Sequence, residues 1–483
     1  MSKGIENVAV IGSGVMGAGI AAHCANSGCK VLLLDIVKDK EDRDAVASSA
    51  VRGMMESNPE MLMHKRNSKL ITTGNIEDDL SKLSDVDWVI EVVIENLDVK
   101  RDLYSDISRH IGKGTIVSSN TSTIPRTKLV EGMQGEMASR FLITHFFNPP
   151  RYLPLLEVVT ADEVDSSVTE KLCSFADNRL GKRVIMCNDT PGFIGNRLGV
   201  YFIQRALKAT LDHGLTIEQA DAMLSRPIGV PKTGVFGLMD LVGIDLVPHV
   251  TASLLENLPK EDPFQEIAGT GGEIIEAMLA EGYTGRKGKG GFYRLNTDGG
   301  KRVKEARDLL TGEYNTANKR AAFPSAKMGK QGLGRLIDYP DKGAKLVADV
   351  LLDTLSYAAH IVPEVSENIH SIDSAMKVGY NWKKGPFEMM DSIGVISMVE
   401  RLKASGRGVP MMLIEAAKKG SFYDMEDKET TRLTTEGEMI IIERPPSTLT
   451  VADLKRRGRP LKRNGSASIW DMGDDILLVE YHS

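Results

Sequence analysis

Residues 7–20, NVAVIGSGVMGAGI, decide how the chain begins to fold. Asn7 to Ile11 make an apolar run of strand length, and Gly12, Gly14 and Gly17 follow with G-x-G-x-x-G spacing. Val15 to Asn26 then carry helical character until Gly28 ends it. A strand that feeds a glycine turn at the mouth of a helix is the context in which this spacing makes a dinucleotide site. Gly12 permits the tight turn, Gly14 lets backbone approach a pyrophosphate, and Gly17 lets helix and strand pack closely. The first helical residues, Val15 and Met16, bring N–H donors and the positive end of the helix dipole. Asp35 ends the next strand, Lys30 to Asp35, where a carboxylate accepts from a ribose 2′-hydroxyl and repels a 2′-phosphate. NAD is therefore favoured, with Lys38 leaving NADP open.

Further strand-like runs at Asp87 to Val93, Thr115 to Ser119 and Arg140 to Phe146 are separated by helix-length segments, which predicts a parallel sheet with crossovers. Beyond Asp189-Thr190-Pro191-Gly192 the pattern turns helical, through Asn196 to His213 and Thr216 to Leu224. A helical unit also recurs. GVFGLMDLVGIDLV from Gly234 matches GPFEMMDSIGVISMV from Gly385, and QADAML upstream matches IDSAM. The expected fold is an α/β Rossmann-type domain over 1–189, followed by a mostly helical C-terminal domain present in two copies. The first copy covers 190–295, a polar linker 296–340, and a degenerate second copy 341–430. Residues 431–483 form an irregular segment with ERPPS and the basic run KRRGRPLKR before a strand-like end.

With 483 residues, 42% hydrophobic and 26% charged, the chain suits two to four globular domains. No apolar run approaches the roughly 20 residues that span a bilayer. The N-terminal MSKGIENVAVIG has neither a signal-peptide core nor an Arg-rich presequence. Cys24, Cys29, Cys173 and Cys187 lack CxxC spacing and read as packed thiols in a reducing, cytoplasmic setting, with no metal implied. A net charge of -6 gives no general attraction to nucleic acid, and KRRGRPLKR reads as a solvated linker.

Histidine is the side chain best matched to taking a hydroxyl proton near neutral pH. Of nine histidines, His145 ends the apolar strand FLITH, at the edge where open α/β sheets bind ligands. Glu157 stands alone in the apolar run LLEVV and needs a partner, which the turn Asn148-Pro149-Pro150 could bring to it. A packed core histidine and a solvated edge glutamate remain the competing readings of the spacing.

GSGVMGAGI, SSNTST at 118–123, HFFNP at 145–149 with Glu157, DTPGFIGNR at 189–197 and the closing KGGFY together resemble the L-3-hydroxyacyl-CoA dehydrogenases over residues 5–293. The resemblance implies NAD-dependent oxidation of a 3-hydroxyacyl-CoA in fatty-acid β-oxidation. His145 is then the general base and Glu157 its orienting acid, with Ser122 at the substrate hydroxyl and Asn196 at the thioester. It implies cofactor contacts from Glu95, Lys100, Asn120, Asn148 and, more weakly, Lys287. Arg52, Lys65 and Arg66 are candidates for the CoA phosphates, beside the plainer reading of a solvated helix face. The partners implied are the acyl-CoA substrate and an enoyl-CoA hydratase or thiolase. The chain is expected as monomer or homodimer, with the second helical copy standing in for a partner subunit. The final residues, 464–483, resemble the first hairpin of a crotonase domain without a hydratase's catalytic groups. A sugar-acid dehydrogenase on the same scaffold and a non-catalytic NAD-binding protein are the competing expectations; retention of both His145 and Glu157 opposes the latter.

Overall fold

The opening run becomes β1 (Asn7–Ile11), and the glycine turn leads into α1 (Val15–Asn26), which buries every residue from Gly17 to Ala25. The computed structural model describes residues 4–133, 135–298, 300–426, 429–443, 451, 454–455 and 458–482. Seven further strands join β1: β2 (Lys30–Asp35), β3 (Ile71–Asn75), β4 (Trp88–Glu91), β5 (Ile116–Ser119), β6 (Phe141–Phe146), β7 (Leu155–Val159) and β8 (Arg183–Cys187). Their order is β3-β2-β1-β4-β5-β6-β7-β8. Helices α2 (Ala45–Glu56), α3 (Leu97–Ser108), α4 (Arg126–Val130) and α5 (Ser166–Asn178) lie between them in sequence. The order reverses between β1 and β4, the crevice position at which such sheets take ligands.

The strands expected to be parallel, β1, β2 and β4 to β6, are parallel. Beyond them β7 runs antiparallel to β6, in a register that sets His145 opposite Glu157, and β8 runs parallel to β7. No helix intervenes between residues 146 and 155, and so short a connection can reach only an antiparallel neighbour.

The second architecture starts with α6 (Gly195–Asp212), whose residues are nearly all buried. It continues through α7 (Ile217–Met223), α8 (Phe236–Val242), α9 (Leu246–Asn257), α10 (Phe264–Ile267) and α11 (Gly272–Ala280). The stretch 296–340, expected as a linker, is folded. It holds β10 (Val303–Arg307) and β11 (Tyr314–Thr316), which form a three-stranded sheet with β9 (Tyr293–Asn296), and then α12 (Leu333–Ile337). Arg294 pairs with Glu305 at 2.7 Å across that sheet and Arg307 with Glu281 at 2.8 Å, so its polar composition serves ion pairs. Next come α13 (Lys342–His360), packed along α6, then α14 (Ile369–Gly379) and α15 (Pro386–Ile393).

The described residues form two compact units, divided between Ile393 and Gly394. The change of pattern near residue 190 is thus a change of architecture inside one unit, and the stretch 341–430 crosses the division. The second unit contains α16 (Val395–Ala404), α17 (Met411–Lys419), the sheet of β12 (Tyr423–Glu426), β13 (Glu429–Leu433) and β14 (Met439–Ile441), and the sheet of β15 (Lys462–Arg463), β16 (Ala467–Asp471) and β17 (Leu477–Tyr481). Arg456 and Arg457 of the basic run, and 444–447 of ERPPS, lie outside the described residues. Among the described residues no single helix is long and apolar enough to cross a membrane.

His23 lies on the buried face of α1, 2.9 Å through Nε2 from the Leu180 carbonyl, while its Nδ1 has no partner. Burial, with the nearby Lys182 charge, lowers its pKa from 6.5 to about 4. The ring is neutral in the fold and gains a proton on unfolding below pH 6.5, so its contribution is present above that pH and is lost as pH falls toward 4. The full loss is on the order of 3 kcal/mol. Asp221 and Asp240, raised by burial to about 7 and about 6, act in the opposite sense over the same window. The expected result from urea unfolding at pH 7 and pH 4.5 is therefore a difference of differences: His23→Gln loses less stability than wild type on acidification.

Candidate active site

The three glycines meet three different surroundings. Gly12 has φ +101°, and a Cβ there would lie 2.5 Å from the Val92 carbonyl oxygen. A Cβ on Gly17 would overlap the Gly12 carbonyl oxygen, so this glycine is required where helix meets turn. Gly14 has nothing within 4 Å of its missing side chain, and Val15 beside it is 66% exposed. The turn thus leaves an open cradle in front of the first N–H groups of α1, which fits a dinucleotide pyrophosphate. Asp35 stands at its lip, accepting from the Ser13 N–H at 2.6 Å, the Ser13 hydroxyl at 2.5 Å and the Ile36 N–H at 2.7 Å.

At the ends of β4 and β5, Glu91 is fully buried and organises the neighbouring loop. It accepts from Lys100 Nζ at 2.7 Å, Tyr104 at 2.5 Å, Ser119 at 2.7 Å and the Val93 N–H at 2.7 Å. Lys100, expected as a cofactor contact, is itself buried, its ammonium shared between Glu91 and Glu95, the latter at 3.2 Å. Glu95 in turn accepts from the Thr121 hydroxyl and the Ser122 N–H, both at 2.8 Å. Burial works to raise the Glu95 carboxyl; Lys100 and these hydrogen bonds outweigh it and hold it below the ordinary range. Asn120 Oδ1 accepts from the Phe146 N–H at 2.9 Å, tying the end of β5 to the end of β6. Ser122, Glu95 and Asn120 therefore share the carboxyl edge of the sheet, with Lys100 beneath them.

His145 Nδ1 lies 2.7 Å from Glu157 Oε2, and both side chains are buried. The other carboxylate oxygen accepts from the backbone N–H groups of Ile194 at 3.1 Å and Gly195 at 2.7 Å, at the start of α6. With Nδ1–H donated to Glu157, the Nε2 lone pair of His145 is left to accept a proton. Phe147 and Phe193 flank the imidazole, their ring centroids 4.6 and 5.8 Å from it. Phe193 has φ +47°, a left-handed conformation that is costly for an aromatic residue and concentrates at functional turns. Asn196, half-buried, sits next to Gly195 at the head of the same helix.

Asn148 is exposed at the turn after β6, where its bond to Pro149 is cis. Lys287 is engaged by Asp245 at 2.6 Å in the helical architecture. Arg52, Lys65 and Arg66 face solvent. Glu91, Phe147 and Phe193 were not singled out by the sequence reading. Glu91 carried the same signal as Glu157, an acid in an apolar strand; Phe147 and Phe193 lie within the HFFNP and DTPGFIGNR strings, where nothing sets them against the imidazole.

These surroundings predict opposite outcomes for two similar substitutions. Gly14→Ala should keep its melting temperature within about 2 °C of wild type and lose at least about tenfold in NADH affinity, measured by fluorescence titration. Gly17→Ala should lose stability first, because its Cβ meets backbone.

Two family models match the chain: the NAD-binding domain of 3-hydroxyacyl-CoA dehydrogenase over residues 7–190, and its C-terminal domain over 192–295 and 346–419. A probable 3-hydroxyacyl-CoA dehydrogenase of Bacillus subtilis is 36% identical over all of this chain and 63% of its own length. A putative fatty acid oxidation complex trifunctional enzyme of Rickettsia felis is 39% identical over 81% of this chain and 53% of its own. The chain thus spans under two thirds of each of these relatives. Among solved structures, the 3-hydroxybutyryl-CoA dehydrogenase of Escherichia coli shares the fold, with TM-score 0.65 at 24% identity over 86% of this chain and 99% of its own. FadB2 of Mycobacterium tuberculosis, 28% identical, has TM-score 0.51 over 61% of this chain and 100% of its own. A dinucleotide cradle, a His–Glu pair at the sheet edge and matches over most of the sequence lead to one statement: the chain belongs to the 3-hydroxyacyl-CoA dehydrogenase family.

Proposed function

We propose that the chain oxidises the 3-hydroxyl of an (S)-3-hydroxyacyl-CoA to the 3-ketoacyl-CoA in fatty-acid β-oxidation. The observation that carries this reading is the His145–Glu157 pair, which leaves one imidazole nitrogen free at the edge that also holds the glycine cradle. Bound NAD supplies the hydride acceptor. His145 Nε2 takes the proton from the substrate hydroxyl, and Glu157 holds the ring tautomer and stabilises the imidazolium that results. The Ser122 hydroxyl serves as a neutral donor and acceptor for the same oxygen. The Asn196 amide donates to the thioester carbonyl and so fixes the substrate's orientation. Glu95, fixed by Lys100, holds the Ser122 backbone in place.

The helical domain is proposed to be duplicated. Asp221 accepts from the N–H groups of Phe236 at 2.8 Å and Gly237 at 3.1 Å, and Asp373 accepts from Phe387 at 2.8 Å and Glu388 at 3.1 Å. One buried aspartate thus holds the start of a short helix in each half, at the positions the sequence repeat aligns. The second half is assigned a packing role. An enoyl-CoA hydratase or thiolase is proposed as partner activity, supported by the relative named as trifunctional, and the cytoplasm as the compartment.

NADH should form from 3-hydroxybutyryl-CoA and from a long-chain homologue, and not from a sugar acid. His145→Gln should lower kcat by about 10²- to 10⁴-fold while NADH binding persists. Glu157→Gln should fall about as far, because its amide presents N–H to Nδ1 and forces the tautomer with the proton on Nε2. Unchanged turnover in His145→Gln, or turnover of the sugar acid alone, overturns the assignment.

A further inference from the structure

The end of α14 lies against the catalytic pair from behind, and the family motifs that mark the site do not include it. Gly379 is so close to β7 that a Cβ there would lie 2.6 Å from Leu155 Cδ2, two residues before Glu157. Tyr380 follows, largely buried, with its phenol over Gly199 of α6, where a built Cβ would overlap the Tyr380 oxygen. Its ring meets Phe147 edge-on, centroids 6.5 Å apart. Phe147 in turn contacts the His145 ring, and it closes over Gly195, where an added Cβ would lie 2.6 Å from Phe147 Cζ.

The backbone explains how this contact is held. Tyr380 and Trp382 both return N–H bonds to the Met376 carbonyl, at 3.1 and 3.4 Å, and Asn381 between them has φ +55°. Asparagine tolerates that left-handed conformation better than other side-chain-bearing residues. The turn presents the two flanking aromatics to α6, with Trp382 meeting Phe202 edge-on at 5.1 Å. Tyr380 is thus clamped from both sides, by the cap of its own helix and by α6. Burial, followed by the neighbouring Glu157 charge, raises its phenol above the ordinary value, so it stays neutral beside the carboxylate.

We propose that Tyr380 is a positioning residue for the His145–Glu157 pair: its ring fixes Phe147, and Phe147 fixes the plane of the imidazole. The ring of Tyr380 packs on Phe147 and Gly199, so its removal loosens the imidazole while the polar groups of Ser122 and Asn196 stay in the chain. The catalytic half of the proposal rests on the dehydrogenase reading of the site; the packing half does not.

The test compares Tyr380→Leu, Tyr380→Phe, Phe147→Leu and the Tyr380→Leu/Phe147→Leu double variant, full length, by two measurements. In steady-state oxidation of 3-hydroxybutyryl-CoA, Tyr380→Leu should lower kcat about tenfold with KM and NADH affinity within about twofold of wild type. Tyr380→Phe, which restores the ring, should recover kcat to within about threefold. The double variant should be no slower than the slower single one, because the two rings act in series. Independently of any substrate, diethyl pyrocarbonate should modify His145 several-fold faster in Tyr380→Leu, with buried His23, followed by mass spectrometry, as the control for global opening. Equal His145 modification in Tyr380→Leu and wild type overturns the inference, as does a lowered melting temperature with unaltered kcat. Wild type with no turnover of any acyl-CoA sinks the dehydrogenase reading instead, and the modification rates still decide the packing claim.

Discussion

The fully buried carboxylate of Glu157 constrains more of the structure than any other group. An unpaired charge at that depth costs several kcal/mol, so the fold must bring it donors. One oxygen receives the His145 ring and the other receives two backbone N–H groups from the head of α6. Satisfying the first requires β7 to turn back beside β6 in the register that faces 157 with 145. Satisfying the second requires the long helix to end on the sheet. The α/β and helical architectures therefore share one compact unit, and the strained Phe193 sits where the chain must rotate its N–H groups toward the carboxylate.

Glu91 shows what the same chemistry does without a free base. It too is a fully buried acid in an apolar strand, and its partners are a lysine shared with Glu95, a tyrosine, a serine and a backbone N–H. Its product is shape, since it fixes the loop that carries Glu95 and through it the Ser122 backbone. Glu157 differs because one of its donors is an imidazole with a second nitrogen. Two buried glutamates on one sheet thus take different partners, one fixing a loop and the other holding an imidazole.

What the sequence disclosed follows from how local each cause is. The glycine turn is a contiguous string, and each glycine's steric reason lies within its own loop or the adjacent strand. Glu157 was legible because an acid amid Leu155, Leu156, Val158 and Val159 requires a partner, and the Asn148-Pro149-Pro150 turn offered one nearby. That same turn brings β7 back antiparallel to β6, where the alternation of strands and helices has ended. The sheet of β9 to β11 was missed because its residues are polar rather than in apolar alternation: Arg294–Glu305 joins β9 to β10, and Arg307–Glu281 ties β10 to the end of α11. Tyr380 could not be found at all: its contact with Phe147 joins residues 233 apart in the chain, and neither carries a local pattern that names the other.

The two long helices of the proposed repeat, α6 and α13, start in different ways. Asp341 caps α13 with its own side chain, accepting from the Ala344 N–H at 2.8 Å, so one of the donors at the head of α13 is satisfied before the helix meets anything else. The head of α6 has no side-chain cap, and the left-handed Phe193 leaves the N–H groups of Ile194 and Gly195 pointing outward. Helix starts of that kind must be satisfied from elsewhere or be left exposed to water. In α6 the elsewhere is Glu157, whose Oε1 accepts from both N–H groups. A missing cap, which in an isolated helix would be a defect, is here the feature that couples the helical architecture to the His145–Glu157 pair.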